Sequence, residues 1–161
     1  MTSEAFTTCL WFDGKAEEAA AHYLSVFTKD SHLGSVTRYT EAGPGPAGTA
    51  ITVDFTLNGQ RFLALNGGPL FTFNEAISFQ IHCTDQDEID YYWDRLTADG
   101  GQGGQCGWLK DKFGVSWQVV PTELPALLAD PDPQKATRAT RAMLAMTKFD
   151  LAELRRAHAG E

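Results

Sequence analysis

The sequence predicts an α+β fold: two consecutive β-α-β-β-β modules followed by C-terminal helices. Three observations carry that expectation. Short stretches alternate apolar and polar residues between turn signals, the period-two pattern of half-buried strands. In each module the first such stretch is followed by a segment with apolar residues three to four apart, the period of a helix. After Pro121 the alternation stops and helical spacing takes over. A chain of 161 residues is about one domain long, so 1–161 reads as a single domain. Within it module 1 covers about 5–66, module 2 about 76–121 and a helical appendix 122–161.

In chain order, Phe6 to Phe12 is a β-rich run that stops at Asp13-Gly14. Asp13 is placed to cap a helix from Lys15 to Phe27, with Ala16, Ala19, Ala20, Tyr23 and Phe27 on its buried face. Val36 to Thr40 reads as a strand. Glycine and proline between Ala42 and Gly48 leave only a loop there. Ala50 to Leu57 alternates cleanly, Asn58-Gly59 signals a hairpin, and Arg61 to Leu65 returns as a strand.

Module 2 opens with a strand from Ile77 to Cys83. Asp85-Gln86-Asp87-Glu88 has the form of a capping box, starting a helix with Ile89, Tyr92, Trp93 and Leu96 inward. Gly100 and Gly101 stop that helix, and Gly100 to Gly104 reads as a loop. Gly107 to Leu109 gives a short strand, Asp111 to Gly114 a turn, and Val115 to Val120 a further strand. Asp132 and Pro133 suit the cap and first turn of a helix reaching about Met146, and Asp150 starts a last one. Ala136, Ala139, Met143 and Met146 form an apolar face that packs on its own domain or joins a dimer interface.

Composition narrows the function classes. Hydrophobic residues make up 43% and aromatics 11%, enough for a sizeable core. Thirteen basic against 21 acidic residues give a net charge of −8, which repels phosphate backbones and anionic lipid surfaces. Neither nucleic acid nor membrane is an expected partner. No apolar run approaches the roughly 20 residues of a membrane span, and Met1-Thr2-Ser3-Glu4 does not open a secretory signal. A cytoplasmic location is therefore expected. Cys9, Cys83 and Cys106 lack the close pairs of a zinc site and read as free thiols in a reducing compartment.

Strand parity sorts side chains between a helix-covered face and an open one. It puts Thr8 opposite Cys9 and Trp11, and Thr52, Asp54 and Thr56 opposite Ile51, Val53, Phe55 and Leu57. Ser78, Gln80 and His82 oppose Phe79, Ile81 and Cys83, while Ser116, Gln118 and Val120 oppose Val115, Trp117 and Val119. The candidate ligand-binding residues are Thr8, Asn66, Ser78, Gln80, Trp108 and Gln118. His82 and Asp54 are the candidate catalytic pair, an imidazole to serve as general base and a carboxylate to orient it. Phe71, Phe73 and Trp108 are placed to wall an apolar ligand or to pack in a core.

Three strings carry a family resemblance: Trp11-Phe12-Asp13-Gly14 with Ala16-Glu17-Glu18-Ala19, Leu65-Asn66-Gly67-Gly68-Pro69 with Phe71 and 73–79, and Cys106 through Pro121. Across nearly the whole chain they resemble the PhnB-like, 3-demethylubiquinone 3-methyltransferase-like family. That family sits in the vicinal oxygen chelate (glyoxalase/bleomycin resistance/dioxygenase) superfamily. The resemblance implies paired βαβββ modules forming an open, cup-shaped mixed sheet around a small-molecule cavity, and a homodimer. Metal-using relatives carry ligands on the first, fourth, fifth and eighth strands. Those places match Thr8, a residue near Ala64, Ser78 and Gln118, which lack imidazole, thiolate and carboxylate. The expectation is no metal and no cofactor. A methyl-donor site of the usual kind needs a Gly-rich strand-to-helix turn, and the glycines at 100–104 follow a helix instead. Three readings stay open: a binder of a small, partly apolar molecule; an isomerase, lyase or dioxygenase using His82 and Asp54 or a weak metal; and an interaction module whose acidic surface and C-terminal helices bind a protein.

Overall fold

The structure, a computed structural model, describes residues 6–161. The chain divides at Phe73/Asn74 into two compact units.

The first unit has the element order β1 (Thr8–Phe12), α1 (Ala16–Val26), β2 (His32–Arg38), β3 (Ala50–Leu57) and β4 (Gln60–Asn66). Its sheet runs β1-β4-β3-β2, with β1 parallel to β4 and the other pairs antiparallel. One face is closed by α1, whose Ala16, Ala19, Ala20, Tyr23 and Val26 are buried. Small alanines let the helix approach closely, and Tyr23 stacks on Phe55, which stacks in turn on Phe62. The Asn58-Gly59 turn has positive φ at both residues, 47° and 79°, the form expected for a two-residue hairpin. Strand β2 begins earlier than predicted; its register with β3 shifts between Leu33 and Val36, which hides the period-two signal.

Asp13 does not cap α1. The helix start is capped from β4: Asn66 Oδ1 accepts from Ala16 N at 2.9 Å, while Asn66 Nδ2 donates to Ala50 O at 3.0 Å.

The second unit has β5 (Phe79–Cys83), α2 (Gln86–Thr97), a 3-10 turn at Ala98–Gly100, β6 (Gln102–Gly103), β7 (Trp108–Lys110) and β8 (Ser116–Pro121). Its sheet runs β5-β8-β7-β6, the same order as in the first unit. The stretch read as a loose glycine loop thus contains an edge strand, and β6 completes the second βαβββ order. Asp85 caps α2 as expected, accepting from Glu88 N, while the Glu88 carboxylate accepts from Thr84 N and its hydroxyl, one residue before the cap. Ile81, Cys83, Ile89, Leu96, Leu109, Trp117 and Val119 make the core.

Three helices complete this unit: α3 (Leu124–Leu128), α4 (Pro133–Ala145) and α5 (Leu151–Ala159). Asp132 and Asp150 cap α4 and α5 as expected. The helices are tied into their own unit. Gln86 of α2 donates to Phe149 O and accepts from Leu151 N, and Cys106 N and Gly107 N donate to Met146 O and Thr147 O. No helix among the described residues is long and apolar enough to cross a membrane.

Candidate functional site

Each sheet has one face packed by helices and one left open. In the first unit Val53, Phe55, Phe62, Ala64, Leu10 and Phe12 are buried on the packed side. The register then puts Cys9 and Trp11, Leu63 and Leu65, and Thr52 and Asp54 together on the other. Thr8 shares its parity with Leu10 and Phe12, so it lies on the packed side rather than the open one. Ala64, fully buried, is on that side too. Asn66, expected as a ligand contact, spends both ends of its amide on Ala16 and Ala50.

Asp54 is on the open side as predicted. The Ser35 hydroxyl donates to it at 2.6 Å, and Arg61 stands 3.8 Å away. Phe71 meets Trp11 edge-on, and Phe73 meets Phe12 in the same way. Trp11 Nε1 donates to Gly68 O at 2.8 Å, fastening the Asn66–Pro69 segment to β1.

The open face of the second sheet brings predicted residues together. Paired strand residues put Gln102, Lys110 and Ser116 in one row, Trp108, Gln118 and Gln80 in the next, and Val120 and His82 in a third. Gln118 is the hub: its Nε2 donates to Ser78 Oγ at 2.8 Å, and its Oε1 accepts from Gln80 Nε2 at 3.2 Å. Trp108, half-buried, is paired with Gln118 in the β7–β8 register. His82 is exposed on the same face. Asp54 belongs to the other unit, where its hydrogen-bond donor is Ser35.

A cavity of about 210 Å³ opens beside this network, with Glu75, Gln102, Gly104, Trp108, Lys110 and Ser116 in its wall. Sequence parity had put Ser116 on this face without singling it out, and Glu75 had no pattern to mark it. A larger cavity, about 570 Å³, lies between α2 and α5. Its polar groups already serve one another: Gln86 holds Phe149 and Leu151, and Asp90 pairs with Lys148 at 2.7 Å. It is the weaker candidate for that reason, despite its size.

The strand places that hold metal in relatives do not fit a tight first-row ion here. Thr8 shares the packed side with Leu10 and Phe12, the fourth-strand place near Ala64 offers only Leu63, Ala64 or Leu65, none of which ligates, and the other two are the hydroxyl and amide of Ser78 and Gln118, bonded to each other. Among the described residues no three His, Cys, Asp or Glu side chains converge.

Residues 4–120 match the profile of the 3-demethylubiquinone-9 3-methyltransferase family. The chain belongs to this family. A PhnB protein from Bacillus cereus, provisionally named a 3-demethylubiquinone-9 3-methyltransferase, is 41% identical. The alignment covers 73% of this chain and 99% of that one, with a TM-score of 0.66. Protein PA1353 from Pseudomonas aeruginosa is 18% identical over 72% of this chain and 96% of its own, at TM-score 0.57. The fosfomycin resistance protein FosX from Listeria monocytogenes is 16% identical over 78% and 97%, at 0.54. The last two show the shared vicinal oxygen chelate fold and no more. No protein of curated function matches the sequence.

The family's name refers to methyl transfer, but the strand-to-helix connections here are short. The β1–α1 link contains one glycine, Gly14, and Thr84-Asp85 between β5 and α2 contains none. Both sheets are mixed rather than parallel, so the usual Gly-rich methyl-donor cradle is not among the described residues.

Proposed function

We propose that this protein binds a small, partly apolar organic molecule on the open face of its second sheet, without a metal and as a homodimer in the cytoplasm. The observation that carries the reading is the Ser78–Gln118–Gln80 chain beside Trp108. A central amide that both donates and accepts, next to an indole, matches the usual ligand site: apolar walls with a few placed polar groups. A second reading rests on His82, exposed on the same face as Gln80. There it would move a proton on a ligand already held by the amides.

The test is Gln118→Leu, near in volume but without hydrogen bonds. Benzamide, an apolar ring with one amide, serves as the neutral probe in protein-observed NMR titrations. Wild type should show shifts at Ser78, Gln80, Trp108 and Gln118. The variant should lose about 1–3 kcal/mol of binding with its melting temperature unchanged. Equal affinity in both proteins overturns the reading. Loss of turnover, but not of binding, in His82→Gln would decide for the enzyme.

A further inference from the structure

The cavity beside the amide network holds a hydroxyl with nothing to bond. Ser116 is 1% exposed, and its Oγ has no hydrogen-bond partner among the described residues. Buried polar atoms in folded proteins are nearly always paired, so an orphan in a cavity wall points to a bound partner. Lys110 is paired with Ser116 across β7–β8 and with Gln102 across β6–β7. The Lys110 ammonium is taken up by Glu75, which lies outside the strands in the segment before β5. The hydrogen bond from Lys110 holds the Glu75 carboxyl below its ordinary range, so it sits there charged. The cation is thus fixed on a strand, while the carboxylate that answers it hangs from an irregular segment with its side chain 59% exposed. Glu75 occupies the place that a ligand carboxylate would take.

We propose that this cavity receives the carboxylate of a small organic acid, held by Lys110 and Ser116 with Trp108 against its apolar body, and that Glu75 yields Lys110 when the acid binds. This rests on the reading of the open face as a ligand site and names the class of its ligand. Lys110 supplies charge-assisted donors, the Ser116 hydroxyl gains the acceptor it lacks, and about 210 Å³ suits an acid of one or two rings. Glu75 acts as a selectivity device as well. Neutral molecules must leave the Glu75–Lys110 pair in place or break it without compensation, whereas an acid replaces like with like.

The experiment compares acids with their primary amides on the full chain by NMR titration: benzoate against benzamide, and indole-2-carboxylate against its carboxamide. Each acid should bind about tenfold more tightly than its amide. Lys110→Met should erase that preference. Ser116→Ala should weaken benzoate about fivefold without lowering the melting temperature, because an unpaired hydroxyl contributes no stability. Glu75→Gln should tighten benzoate by removing its competitor and leave benzamide unchanged. Equal affinity for acid and amide, or weaker benzoate binding in Glu75→Gln, overturns the proposal. If both probes bind equally and Gln118→Leu still weakens both, the acid class falls and the site stands. If neither probe binds, both fall.

Discussion

The Asp111 carboxylate is 3% exposed beneath the β7–β8 turn, with Oδ1 accepting from Phe113 N and Val115 N and Oδ2 from Trp117 Nε1 at 2.8 Å. It fixes the turn that sets Lys110 opposite Ser116. Asp111→Ala would strand three donors, two of them backbone. A loss of about 2–4 kcal/mol is expected, read as a lower urea midpoint at unchanged slope. A loss below about 1 kcal/mol would mean that water replaces the carboxylate. The sequence marked Asp111 only as a turn residue, because its indole partner six positions on depends on where the turn ends and β8 begins. Parity fared better where a strand alternates cleanly, as in Ser78, Gln80, His82 and Gln118. It failed at Thr8, where a one-residue choice of face moved a hydroxyl from the packed side to the open side. The side chains of Leu10 and Phe12, both buried, were the better guide to that strand's inner face.

Helix α1 illustrates what an element owes to distant residues. Its own N-cap, Lys15, makes no side-chain cap, and the first helical N–H is held by Asn66, fifty positions away in the sequence. No local pattern reveals such a cap, so the sequence suggested Asp13 instead. Asn66→Ala is expected to cost about 1–2 kcal/mol by freeing both Ala16 N and Ala50 O. Hydrogen exchange should then rise first in the opening turn of α1. Unchanged exchange there would show that the cap is dispensable. Helices with local signals, the Asp85, Asp132 and Asp150 caps, were legible. Strand β3 was legible from end to end through its alternation. The two-residue strand β6, half glycine, was not, because pairing with Lys110 and Leu109 alone makes it a strand.

For the whole molecule, acidity is the dominant charge feature, and several acids depend on partners. Lys148 holds the Asp90 carboxyl below its ordinary range through a hydrogen bond, and this pair joins α2 to the approach of α5. A depressed folded pKa means that the stabilisation is complete above the unfolded carboxylate value, about 4, and drains away as pH falls through the folded one. Calorimetry should therefore show a melting temperature that is level near pH 6 and falls below about pH 4. Lys148→Met should make that fall shallower, and an identical profile would remove this pair from the acid response. Native mass spectrometry of protein purified without added metal reads the proposed metal-free small-molecule site, its occupant and the number of chains in one measurement. Two chains of 17.6 kDa, no stoichiometric transition metal, and a small organic molecule released on denaturation are expected. One zinc, iron, nickel or manganese per chain that survives desalting would contradict the metal-free site.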